Sequence, residues 1–387
     1  MKSVKKLFRI LAIVLTLVLF LGWSQRYVFR VLNKEDLRMN GFYLEEKDSL
    51  DVLFLGASEV YSGYSPAVLY DKSGLTSYPY TAPGCPVTLW KTMLEDALRR
   101  QSPSLVVVDI SGACYLTPER LYQPAAFHYV LDGMPLSCVK LDAVFHVARQ
   151  VEDSQWSFLF PIIKYHENWK QSEGLVSMMN MMRSTRLMEK RGYAVLRGIS
   201  TMAQSKPVKA PVRDLLGDKS ELPMAEDAEQ SLREFLEYCR EKDVQVLFAR
   251  FPHRVEDAAD YYQVFQILNT AERIIREDGF PVLNMEILTE ELGLDVEKDF
   301  SHPNHLNIYG QQKVSAYLAE FLTKECGVVP RPQSDEQKAE WANSVEYYKL
   351  YCLYIQQHYS ANASATTTIA ENWWLMEELE KLKNNAA

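Results

Sequence analysis

Apolar residues along this chain fall into two alternating patterns, short dense runs and longer stretches with helical spacing. The first run, residues 50–55, stops at Gly56, and residues 104–110, 244–250 and 281–284 repeat its character. Each is short, rich in Val, Leu or Phe, and bounded by polar or turn residues, as expected of a strand covered on both faces. Between these runs, residues 88–101 gather Leu89, Trp90, Met93, Leu94, Ala97 and Leu98 on one helical face. Residues 226–242 do the same with Leu232, Phe235, Leu236 and Cys239, and residues 259–278 and 311–324 are further amphipathic stretches. Strands alternating with helices predict an α/β fold, a mostly parallel sheet with helices on both sides.

Two regions break the rhythm. Residues 115–224 carry Asp132, Trp156, His166, Trp169, the Met-rich group Met178, Met179, Met181 and Met182, and then Pro207, Pro211 and Pro223. This reads as a large insertion in a body spanning residues 39–328. The methionines suit core packing, with a flexible substrate groove as the alternative. Beyond Pro330 and Pro332 a polar helical stretch runs to about His358, followed by an Ala/Ser/Thr-rich linker, so residues 329–387 read as a helical appendage that adds nothing to the sheet.

The N-terminus changes the picture of where the body works. Lys2, Lys5, Lys6 and Arg9 precede an uncharged run, residues 10–25, rich in Leu, Ile and Val. That is a membrane-targeting pattern, and the absence of a small-x-small site after it predicts an uncleaved anchor within residues 1–38. With no second span, one N-in anchor places the body on the extracytoplasmic face of the membrane. The net charge is −9, yet residues 1–38 carry eight Lys/Arg against two acidic residues, so the body is strongly acidic and unsuited to nucleic acid. Six cysteines are scattered without a C-x-x-C pair, which excludes zinc knuckles and thioredoxin chemistry.

Candidate chemistry sits at two places. In LFLGASEVYSGYSP, Ser58 follows the first predicted strand by two residues, behind Gly56 and Ala57. Side chains at the carboxyl end of a parallel strand face the crevice where ligands bind, and small neighbours let a carbonyl carbon approach a hydroxyl. A helix cap is the competing role for a serine there. The segment DFSHPNHLN supplies Asp299, His302 and His305 in a polar loop before the last amphipathic helix. A serine nucleophile needs an imidazole to take its proton, and the imidazole needs an acceptor to fix its tautomer. Asp299, His302 and His305 also offer metal-ligand types, but Pro303 opposes a shared helical face, and no cofactor is expected.

An early G-x-S after the first strand, paired with a late D-x-x-H or HLN segment before the final helix, resembles the SGNH (GDSL-like) hydrolase family. The resemblance runs over most of residues 50–325, most specifically FLGAS, VVVDISG and DFSHPNHLNIYGQQKVSAYL. It implies a flavodoxin-like three-layer fold and a serine ester hydrolase or acyltransferase. More narrowly, it is similar to bacterial membrane-anchored proteins that help acylate surface glycans or glycopolymers, often beside a membrane-bound O-acyltransferase. Carried over residue by residue, Ser58 matches the nucleophile, His305 the base, and the N–H groups of Ser58 and Gly84 the oxyanion hole. Where the family has Asp three residues before the histidine, this chain has His302; either Asp299 orients His305 from farther back, or Asp299 and His302 form the pair and His305 is auxiliary. No oxyanion asparagine is identifiable, Pro79 standing near its place, and a catalytically degenerate accessory protein is the alternative function. His166 in PIIKYHENW resembles a recurrent motif of the anchored relatives and is a substrate-site candidate, and Asp109 ends a strand at the same sheet edge.

Overall fold

The computed structural model describes residues 2–27, 34–164, 196–199, 205–257, 259–358 and 381. Four of its five main strands lie where the dense apolar runs predict them: β1 (Val52–Gly56), β3 (Leu105–Asp109), β4 (Val246–Arg250) and β5 (Val282–Asn284). The fifth, β2 (Ser77–Thr81), is a strand that hydrophobicity alone does not reveal, because SYPYT carries a central proline. It survives because β2 is an edge strand, where a missing N–H breaks no ladder. All pairings are parallel and the order is β2-β1-β3-β4-β5, the flavodoxin-like arrangement.

The period-two alternation of the strands divides the core into two faces. Leu53, Leu55, Val106, Val108 and Phe248 join one cluster, while Val52, Phe54, Val107, Leu247 and Ala249 join the other. The first face is covered by α2 (Lys34–Phe42), α5 (Trp90–Leu98), a long helix at Glu226–Glu241 and another at Ala259–Glu277. The second is covered by α3 (Ser58–Gly63), α4 (Pro66–Ser73) and the helix Ile308–Lys324. Each fully buried Val, Leu, Ile or Phe contributes about 1.5–3 kcal/mol, so the three layers are held chiefly by these two apolar seams.

The short helices between Pro118 and Lys164 do not build a separate core. Their Phe127, Val130, Leu131, Val144 and Phe158 enter the first-face cluster. The C-terminal helix Asp335–His358 adds no strand and docks on α4. It buries Trp341, Tyr348, Tyr351 and Ile355. Trp341 stacks on Tyr70 at 5.0 Å and carries the Arg197 guanidinium over its ring at 3.4 Å. Arg331, in the connector before that helix, donates to the buried Asp51 carboxylate at 3.0 Å, pinning the segment to the base of β1.

At the opposite end, α1 (Lys2–Tyr27) contains residues Val4–Ser24, long and apolar enough to cross a membrane. Its apolar side chains are exposed to the surroundings of the body. None of the six cysteines is paired.

Candidate active site

In an open parallel sheet, the crevice opens at the carboxyl ends of the strands where the strand order reverses, here between β1 and β3. Ser58 opens α3 just past β1, and Asp109 and Ser111 lie at the end of β3. The loop after β4 brings His253, and the loop after β5 brings Glu286. Ser58, Glu59, His253 and His305 are half-buried, while Asp109, Ser111 and Glu286 are buried beneath them. Ser58, Glu59, His253 and His305 thus keep some solvent contact, while the groups beneath them are dry.

Glu59 is the hub. Its Oε2 accepts from the Ser58 hydroxyl at 3.3 Å and from the Ser111 hydroxyl at 3.2 Å, and its Oε1 lies 3.9 Å from His253 Nε2. Ser111 also bonds Asp109 through a short contact. Behind the imidazole, His253 Nδ1 is hydrogen-bonded to Glu286, which pairs with the fully buried Arg250. Arg250 is fixed in turn by Asn269 at 2.6 Å and Glu272 at 3.2 Å. A chain of contacts therefore runs from Ser58 through Glu59, His253 and Glu286 to Arg250.

His305 reaches this edge by a different route. It sits on β7 (His305–Leu306), paired antiparallel with β6 (Phe300–His302), and β7 packs against α3. The helix after it is anchored by Asn307, whose side chain caps the N–H groups of Tyr309 and Gly310 at 3.0 and 3.2 Å. The same amide donates to the Lys298 carbonyl at 2.5 Å. Gln311 donates to the carbonyls of Tyr61 and Ser62, and Ser315 accepts from the Ser65 N–H, so this helix grips α3 and its exit. The Pro303 carbonyl accepts from the Arg254 N–H at 2.7 Å, tying the hairpin to the loop that carries His253.

The other residues singled out in the sequence take these positions. Asp299 is buried, and its Oδ2 accepts from Lys313 at 2.6 Å and from the Asp295 N–H at 2.7 Å. Among the described hydrogen bonds, none joins Asp299 to His302 or His305. The His302 ring lies 5.8 Å from that of His305, and its Nδ1 accepts from the Asn304 N–H at 3.4 Å. Gly84 has φ +59° in the loop after β2, which is stitched to the end of β1 by the Ala82 N–H to the Gly56 carbonyl at 3.3 Å. His166 and the methionine group lie outside the described residues.

Electrostatics separates the two site imidazoles. Burial lowers the His305 pKa below its ordinary value, and His253 and Lys206 push the same way, only partly offset by Glu59. For His253 burial also acts downward, but Glu286, Glu59 and Asp109 together outweigh it and raise the pKa. Burial and repulsion from Glu59 push Asp109 up to about 7. Burial acts to raise Glu286, yet Arg250 and His253 overcome it and hold the carboxyl below its ordinary range. Imidazoles driven in opposite directions are suited to different roles, the lowered one to accepting a proton and the raised one to carrying charge.

Sequence reasoning missed Glu59, His253 and Glu286. The signal that points to them is positional: each follows the carboxyl end of a core strand, as Ser58 does. Reading past β4 and β5 in the way one reads past β1 leads directly to FPHR and NME.

No family model matches the chain, and no curated protein matches it. Among solved structures, one from Desulfitobacterium hafniense DCB-2, assigned to the G-D-S-L family of lipolytic proteins, is similar at 11% identity and a TM-score of 0.34. The similarity covers 70% of this chain and 97% of that one. At that level it bears no weight for the chemistry, which rests on the geometry alone.

Proposed function

We propose that the chain is a serine ester hydrolase or acyltransferase with Ser58 as nucleophile. The observation that carries this reading is the placement of a half-buried serine at the β1/β3 switch point, with a carboxylate that accepts its hydroxyl and, on β7 packed against the serine's own helix, an imidazole whose pKa is lowered. In this mechanism His305 takes the Ser58 proton as the serine oxygen bonds to an ester carbonyl carbon. The N–H groups of Ser58 and Gly84 receive the developing oxyanion. Collapse breaks the carbon–oxygen bond to the alcohol, which leaves with the proton from His305, and water or a sugar hydroxyl then takes the acyl group by the reverse steps.

The apolar α1 fits a membrane anchor, and with the body on the extracytoplasmic face the substrate is an acylated cell-surface glycan or glycopolymer, handled beside a membrane-bound O-acyltransferase. The test is Ser58→Ala. It is expected to abolish both turnover of p-nitrophenyl acetate and labelling by a fluorophosphonate; retention of both overturns the reading.

One observation favours a second reading, an accessory protein without serine chemistry: the Asp299 carboxylate is occupied by Lys313 and the Asp295 N–H. In cells, a Ser58→Ala strain with normal surface-polymer acylation, compared with a deletion strain that has lost it, selects that alternative.

A further inference from the structure

The described contacts give His253 two different tasks on its two nitrogens. Nδ1 is held by Glu286, itself held by the fully buried Arg250, so the ring has little rotational freedom. Nε2 is left facing Glu59, the carboxylate that receives the Ser58 hydroxyl. A buried carboxylate behind one ring nitrogen and a working group in front of the other is the general construction by which a histidine is locked into one orientation.

Resting on the serine-ester reading above, we infer that His253 is a positioning residue of the reaction, clamped by Glu286 so that its Nε2 holds the Glu59 carboxylate against the Ser58 hydroxyl. Three carboxylates converge here from different elements: Asp109 at the end of β3, Glu59 on α3 and Glu286 after β5. The cationic groups facing them are His253 itself and Arg250, the latter committed to Glu286, and His305 on β7 lies within the same field. Glu59 and Asp109 repel one another, and that repulsion adds to burial, the larger cause, in raising Asp109. An imidazolium facing Glu59 offsets that repulsion and holds Glu59 in place; a side chain with neither the charge nor a donor there leaves Glu59 free to swing away from Ser58. The raised proton affinity of His253 keeps it cationic where His305 is already neutral.

The isosteres of the two nitrogens separate this role from simple packing. Asn at position 253 retains a donor near the Nδ1 place, toward Glu286, whereas Gln places its donor near the Nε2 place, toward Glu59. In the full-length protein, His253→Asn is expected to lower kcat and the rate of fluorophosphonate labelling by ~10²-fold with KM little changed, the scale of a misplaced reacting group. His253→Gln, whose amide donates to Glu59 without the charge, is expected to recover part of that loss through this hydrogen bond, short of the wild-type rate, and to remove the decline in rate at alkaline pH. Glu59→Gln supplies a check that leaves the imidazole intact: removing the charge His253 faces moves the alkaline limb to lower pH. Wild-type labelling rates in both His253 variants overturn the proposal while sparing the esterase reading. So does a loss shared equally by Asn and Gln with an unchanged pH profile. A wild-type protein that takes no label brings down the esterase reading and this role with it.

Discussion

Gly56 and Asp109 are packed so closely that a methyl group on Gly56 would lie 2.7 Å from the Asp109 Cβ. Gly56 also has φ +139°, a conformation that side-chain-bearing residues rarely adopt. The two facts together explain the small residue at the tip of β1: it lets the Asp109 side chain at the end of β3 pack against that tip, and it turns the chain into α3. Gly56→Ala is therefore expected to cost about 2–4 kcal/mol, combining backbone strain with overpacking. Denaturant unfolding measures the cost, and ester turnover should fall with it.

The pH dependence of turnover follows from the opposite shifts of the two imidazoles. His305 works as a base only when neutral, and its pKa is depressed, so the acid limb of kcat/KM is expected below pH ~6.5, the ordinary imidazole value. His253 is raised, so the cation is lost, and the rate with it, at a pH above that value. Stability follows the same signs. The depressed His305 favours the fold above its unfolded pKa and loses that contribution as pH falls, while the raised His253 favours the fold below its unfolded pKa and loses it as pH rises through the folded one. A kcat/KM profile from pH 5 to 9 with one limb on each side of 6.5 is the expected result.

Asp299 and His305 should behave differently when changed singly. Since the Asp299 carboxylate is engaged with Lys313 and the Asp295 N–H, Asp299→Asn should reduce activity by less than about 10-fold while lowering stability by ~1–3 kcal/mol through the weakened buried contacts. His305→Ala should lower kcat by about 10²-fold to 10⁴-fold, the range for a lost general base. Parallel kinetics and thermal melts of the two variants distinguish a supporting carboxylate from one that orients the base.

Asn307 links the helix end to the hairpin carrying His305. Removing its side chain forfeits a cap and the bond to the Lys298 carbonyl, an expected loss of about 1–2 kcal/mol. Because the cap sets where β7 meets α3, Asn307→Ala should also slow fluorophosphonate labelling, measured at a temperature where the variant is fully folded.

Trp341 joins the C-terminal helix to the body through Tyr70 and Arg197. Trp341→Ala should cost about 3–5 kcal/mol, the range for emptying a buried aromatic site. A melting temperature unchanged by this substitution would show that the helix folds apart from the sheet.

The α/β class, four of the five core strands and the four longer helices at residues 90–98, 226–241, 259–277 and 308–324 follow from local pattern, whereas α2, α3 and α4 do not. Short runs buried on both faces and helical amphipathicity are written in consecutive residues, as is the glycine before a nucleophile-like serine. β2 does not follow, because its Pro79 opposes a strand and only the edge position next to β1 makes it tolerable. The cluster of Glu59, His253 and Glu286 is not legible either: each residue is an ordinary polar side chain after a strand, and nothing local couples them. They meet because parallel strands put all their carboxyl ends on one edge, and because Arg250, Asn307 and Gln311 hold the surrounding loops by contacts between residues far apart in the chain. Local sequence determines which segments become strands and helices, since burial periodicity acts over a few residues. Which charges share a dry crevice is decided by tertiary packing alone, since Coulomb interactions depend on distance in space.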